Sequence, residues 1–233
     1  MLKIDQIILH HSGTLGQDPY VSTAHLTVQH VDNAHKARWD FPSKYIKTMA
    51  GVPHYSGYTV IYTPHDRKFT QTRAIGEETA HTTGMNFRSV GICIVSNFTK
   101  SPDGSVDPLT KQIEDDVTLF LNDLIDGNKR KLVVAPGTVV NLSASRIHPH
   151  RFYQETECYG TAISDNHFRD LVIAYRPSMQ IPNPNGFTST ELKRRATLLQ
   201  LYMRLLVVYQ KLIDAMKTER VAGHGGMSCN GRI

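Results

Sequence analysis

The sequence has no apolar run long enough to cross a membrane: Ile7–Leu9 near the start is three residues, and Leu205–Tyr209 is bracketed by Arg204 and Lys211. The first run is also too short for a secretory signal, so export by a leader is not expected. Cysteine is scarce. Cys93, Cys158 and Cys229 are an odd number in 233 residues, which argues against a disulfide framework and for a reducing compartment or metal use. There is no His-Glu-x-x-His, no Cys-x-x-Cys, and no His-x-Glu paired with Cys-x-x-Cys, so metalloprotease and deaminase readings lose their support. A Gly-x-Ser-x-Gly elbow, a phosphate-binding glycine loop and an internal repeat are also missing.

What is present is an ordinary globular composition, 40% hydrophobic and 20% charged, which suggests neither disorder nor a membrane protein. The net charge of +5 is unevenly placed: residues 1–180 carry 18 basic and 18 acidic side chains, residues 181–233 carry 8 and 3. Runs rich in Ile, Val, Tyr and Thr at 4–10, 58–63, 68–72 and 89–95 predict strands, with Pro64–Arg67 as a hairpin turn between the middle two. From Thr110 to Ile125, Ile113, Val117, Phe120, Leu121 and Leu124 recur at helical spacing, with Thr110 placed to cap. Strands and helices mix without a strict βαβ repeat. The expected fold is therefore α/β, a mixed central sheet flanked by helices with a C-terminal helical extension.

Prolines 177, 182 and 184 with Asn185–Gly186 mark a boundary. The expected organisation is a main domain over 1–176, a linker over 177–187, a basic amphipathic helix over 188–222 and a Gly-rich tail over 223–233. In the helix, Leu198, Tyr202, Leu205, Tyr209, Leu212 and Met216 follow spacings of four and three behind a capping box at Thr188–Glu191. Such a face needs covering: by its own domain, by self-association, or by an anionic envelope surface.

Two groups of residues carry chemistry. His10 and His11 end an apolar strand, and because successive strand side chains alternate, one can face a cleft while the other does not; periodicity does not choose between them. The segment His148–Pro–His150–Arg–Phe–Tyr–Gln–Glu–Thr156–Glu–Cys158–Tyr–Gly160 puts imidazoles and a thiol within a dozen residues. Catalytic zinc takes three such protein ligands and leaves its fourth position to water, which it acidifies while polarising a carbonyl. On these residues alone two readings stand side by side: metal-assisted hydrolysis, or an inert buried Cys158 beside a surface His150.

Taken in order, IILHHSGT, SGYTVIY, AHTTGMNFRSVGICIVSNF and HPHRFYQETECYG resemble the blocks of the type 2 N-acetylmuramoyl-L-alanine amidases, a family that includes phage amidase lysozymes and peptidoglycan recognition proteins. The resemblance covers about residues 4–162. It implies a zinc ion held by His10, His150 and Cys158, leaving His11 and His148 as neighbours. It also implies that Tyr58, after Gly57, is the active-site tyrosine, and that Thr156, two before the cysteine, meets the oxyanion at the scissile amide. His81 and Asn86 match positions lining the groove for glycan and stem peptide; for Arg88 two readings stand, a partner for a stem carboxylate or a solvated surface residue. Cys93, inside the apolar strand, is expected in the core.

Two positions depart from the family pattern: Tyr159 stands where proline is usual, and Phe152 where aspartate is common. Residues 40–55 are also longer than the usual connection, which predicts an altered groove wall. The function implied is cleavage of the amide between N-acetylmuramic acid and L-alanine in peptidoglycan, in the manner of an endolysin made in the host cytoplasm and acting on the wall after release. A cytoplasmic amidase recycling soluble muropeptides and a non-catalytic peptidoglycan-binding module are the alternatives. No nucleic acid partner is expected.

Overall fold

Asp5 divides the first apolar stretch into two strands, Leu2–Ile4 (β1) and Gln6–His11 (β2). Its own N–H and that of Gln6 both donate to the Arg88 carbonyl, and its buried carboxylate collects the Arg88 and Arg146 guanidiniums. The structure, a computed structural model, describes residues 1–13, 20–102 and 104–176. The expected linker, basic helix and Gly-rich tail lie outside the described residues.

Helix α1 (Val28–Trp39) follows, then β3 (Val60–Thr63), β4 (Lys68–Gln71) and β5 (Ser89–Ile94). The two-residue strands β6 (Lys100–Ser101) and β7 (Gly104–Ser105) precede α2 (Lys111–Ile125), and β8 (Thr138–Val140), β9 (Ile147–Pro149) and α3 (His167–Tyr175) complete the domain. Five strands form the main sheet in the order β4-β3-β5-β2-β9, parallel except for the β3–β4 hairpin. The expected mixed sheet covered by helices is what Met1–Tyr175 forms, as one compact unit.

The helix expected from Thr110 begins at Lys111, with the Thr110 hydroxyl accepting the Ile113 N–H at 3.3 Å. Its apolar stripe of Ile113, Val117, Phe120, Leu121 and Leu124 is buried against one face of the sheet together with Leu9, Ile92, Ile94 and α3 residues Phe168 and Val172. Alternation sends the other set of side chains to the opposite face. There Ile61, Cys93 and Val95 meet Val31 of α1, and Tyr58 packs against them. Because His10 is in register with Cys93, it too belongs to that second face, whereas His11 points to the first.

Residues 40–55 fold back on themselves through a Lys47–Pro53 bridge and a 2.7 Å bond from Ser43 N–H to the His54 carbonyl. Buried Asp32 on α1 holds the end of this excursion: it pairs with the His54 ring and accepts the Tyr55 and Ser56 N–H groups at 3.2 and 2.8 Å. The following residue, Gly57, sits where a side chain has no room, since a Cβ there would lie 2.5 Å from the Ala80 carbonyl oxygen. This close approach delivers Tyr58 to the head of the α1 face.

Candidate metal centre

His10 stands at the C-terminal end of β2, between β5 and β9, and β9, its parallel neighbour, runs directly into a short 3-10 turn that begins with His150. The loop after that turn returns Cys158 to the same place. One ligand atom from each of His10, His150 and Cys158 lies within 4.8 Å of the others. The Cys158 Sγ is 3.5 Å from the His10 Nδ1, and the His10 and His150 rings have centroids 4.5 Å apart.

The register with β5 puts the adjacent histidines on opposite faces of the sheet. His11 turns to the α2 face, where its Nδ1 accepts the Phe98 N–H at 3.1 Å; burial pushes its pKa down to about 4. His10 faces the cleft and is held well below the ordinary imidazole range, first by burial and then by the neighbouring His81 and His150. Burial likewise lowers His150 and raises the Cys158 thiol to about 12. Two neutral imidazoles and a thiol in a buried corner are the donor set that zinc accepts, and the metal's charge would supply what the thiolate lacks here.

These groups form the floor of a cleft of about 960 Å³ that is open to solvent. Tyr58 lines it, its ring 4.9 Å from that of His10, and burial followed by contact with the Cys93 thiol raises its phenol well above the ordinary value. Thr156 also lines it, with its Oγ1 accepting the Cys158 N–H at 3.3 Å, so that its hydroxyl hydrogen remains to be donated.

His81 is present in the cleft wall but is buried behind His10, with its Nδ1 3.0 Å from the His10 Nε2. Asn86 lines the same wall and spends its Oδ1 on the His81 and Thr82 N–H groups, at 3.0 and 2.8 Å. Arg88 is not brought to the cleft: its guanidinium binds the Asp5 carboxylate bidentately, Nη2 to Oδ1 at 3.0 Å and to Oδ2 at 2.9 Å. The carboxylate that Arg88 meets is thus one of the protein's own. Cys93 is buried in the sheet, as expected. Among the described residues the cleft lining includes none from 40–55; its α1 wall is made by Ala34, His35, Arg38 and Trp39.

No protein-family model matches the sequence, and no curated protein matches it. Among solved structures, the chain is similar to N-acetylmuramoyl-L-alanine amidase LysC from Clostridium intestinale, at 20% identity and a TM-score of 0.46 over 75% of this chain and 87% of that one. The Ph2119 endolysin from a Thermus scotoductus bacteriophage is similar at 17% identity and a TM-score of 0.43, over 74% and 86%. Wild-type Drosophila PGRP-LB is similar at 18% and 0.41, over 80% and 88%. The solved neighbours include amidase endolysins and peptidoglycan recognition proteins.

Three residues that support the site escape a sequence reading. Gln154 places its Oε1 2.5 Å from the His150 Nε2; the signal available was its spacing of four from His150. Arg151 clamps the cysteine loop, donating to the Gly160 carbonyl at 2.7 Å and to the Ile163 carbonyl and Asp165 carboxylate, while its N–H binds the Cys158 carbonyl at 2.9 Å. His35 accepts the Gly57 N–H on its Nδ1 at 2.8 Å and so fixes the residue before Tyr58. The two departures from the family pattern find places in this loop. Tyr159 is buried with its hydroxyl on the Ser164 carbonyl at 2.9 Å, and exposed Phe152 stacks on His148 at 4.3 Å.

Proposed function

We propose that this chain is a zinc-dependent N-acetylmuramoyl-L-alanine amidase, hydrolysing the amide between N-acetylmuramic acid and L-alanine in peptidoglycan as endolysins do. The observation that carries the reading is the convergence of His10 with His150 and Cys158, far from it in sequence, on one corner of an open cleft. The same three residues are those the amidase resemblance implies. Zinc, when bound, supplies Lewis-acid polarisation of a carbonyl and a lowered pKa for water.

The chain's own groups divide the remaining work. Tyr58, kept protonated by its surroundings, is a hydrogen-bond donor over the whole physiological range and meets negative charge developing at the scissile amide. Thr156, with its hydroxyl hydrogen uncommitted, is a second donor lining the same cleft. The wall formed by His81, Asn86 and α1 confines the glycan and stem peptide, and orienting the amide against these donors is itself a large part of such a rate enhancement.

Zinc content measured together with mass spectrometry of digested sacculi tests the proposal. About one zinc per chain and release of stems with a free L-alanine amino end are expected. Turnover of soluble anhydro-muropeptide with none on sacculi would reassign the chain to recycling. No metal and no release would leave only peptidoglycan binding.

A further inference from the structure

We propose that His81 and Gln154 are positioning residues that fix the imidazole tautomers of His10 and His150, so that both rings turn Nδ1 to the metal. The role of His81 follows from a chain of hydrogen bonds that can run in only one direction. A main-chain carbonyl only accepts, so at 2.6 Å from the Met85 carbonyl the Ser89 hydroxyl must donate. The Ser89 Oγ therefore receives the hydrogen of the His81 Nε2, 3.2 Å away. A neutral imidazole carries one ring hydrogen, which leaves the His81 Nδ1 as a bare acceptor. That acceptor lies 3.0 Å from the His10 Nε2, which must then be the donor. The nitrogen of His10 left with a free lone pair is Nδ1, the one 3.5 Å from the Cys158 Sγ.

The surroundings of His81 are shaped for this ring. Its backbone and that of Thr82 are held by the Asn86 Oδ1, and its ring lies over Gly91 of β5, where a Cβ would stand 2.5 Å from the His81 Cδ2. The Thr82 hydroxyl adds a contact of 2.9 Å to the same Nδ1. With both ring nitrogens engaged inside the protein, His81 spends its polar atoms on positioning His10 and presents only its edge to the cleft wall.

His150 is treated in the same way by a different group. The Gln154 Oε1 can only accept, so at 2.5 Å the His150 Nε2 carries the hydrogen and its Nδ1 is bare. Outer partners of this kind hold a ligand ring in one orientation and tautomer, and their loss typically weakens metal binding by about 10–100-fold.

The consequence for metal binding rests on the zinc reading above; the tautomers rest on hydrogen bonding alone. The experiment therefore has two readouts on the full chain. Long-range nitrogen-15 correlation spectra of the metal-free protein at neutral pH should show His10 and His150 as Nε2–H tautomers. Zinc dissociation constants from competition with a chromophoric chelator should rise about 10–100-fold in His81→Phe and in Gln154→Leu. His81→Asn and Gln154→Glu, which restore an acceptor, should return to within about threefold of wild type, and the half-buried Gln154 pair serves if the His81 variants fail to fold. Nδ1–H tautomers in a wild-type chain that binds zinc, or unchanged zinc affinity in His81→Phe and Gln154→Leu, would overturn this inference while sparing the metal centre. A wild-type chain that takes up no zinc yet shows the Nε2–H tautomers would overturn the metal reading and the function of the tautomers with it.

Discussion

The Nδ1 of His10 and the Sγ of Cys158 lie 3.5 Å apart, although 148 positions separate the two residues in the chain. One stands on strand β2 and the other on a loop clamped by Arg151, so sheet and loop together set the spacing of the pair.

Cys158→Ser should therefore abolish zinc retention and turnover while leaving the domain folded. The core of Leu9, Ile92, Phe120 and Phe168 does not depend on the thiol. Zinc affinity should fall by more than the roughly 10–100-fold that losing an outer partner costs. Metal analysis, muropeptide turnover and far-ultraviolet circular dichroism together check this, and full activity in a zinc-free variant would end the metal hypothesis.

Tyr58→Phe should keep zinc and lower kcat by about 10²–10³-fold, with little change in KM, as expected when a transition-state donor is removed. Its ring packing against Cys93 and Val31 survives the change. An unchanged kcat would make Tyr58 a packing residue only.

Much of the fold could be read from the sequence because the buried segments carry apolar periodicity: Ser89–Ile94 and Lys111–Ile125 lie where Ile, Val, Leu and Phe recur. Helix α1 has no such stripe. Its buried residues are Val31, Asp32 and His35, two of them polar and satisfied by tertiary hydrogen bonds that no local pattern announces. The same reason hid Gln154 and Arg151. For His10 the pleat supplied two options, and only the register with Cys93 and Phe98's bond to His11 separates them.

Stability of the metal-free protein should fall as pH drops from about 6.5 toward 4. His35 titrates near 6.5 in the unfolded chain and near 4 in the folded one, chiefly through burial, with its Nδ1 committed as an acceptor for Gly57 N–H. Between those values the unfolded chain binds the extra proton. The contribution, on the order of 3 kcal/mol, is complete above the unfolded pKa and is lost through that window. Urea unfolding across pH should show a shallower slope in His35→Asn, which keeps an acceptor and does not titrate; an identical slope would remove His35 from the account.

Gly91→Ala should destabilise the domain by roughly 1–3 kcal/mol, the usual cost of overpacking. The new methyl would stand 2.5 Å from the His81 ring, which has nowhere to retreat between Ser89 and His10. A urea midpoint equal to that of the wild type would show that the ring moves freely.

Truncation after Arg176 should leave a folded domain that still hydrolyses soluble muropeptide, because Met1–Tyr175 has its own core and contains all three proposed ligands. Whole-cell lysis and oligomer size, compared with the full chain, then report what the basic remainder contributes. Loss of soluble-substrate hydrolysis in a truncated chain that remains folded would place part of the active site beyond Arg176.

The parallel pairing of β2 with β9, Ile7 beside Ile147, also sets an order of events during synthesis. The strand bearing His10 is made well before its neighbour and must wait for it while the residues between them are added. Pairings between such distant segments close late and slowly. On the zinc reading proposed above, metal loading follows folding, because a half-folded chain lacking the His150 turn and the Cys158 loop would offer the ion one imidazole of the three proposed ligands.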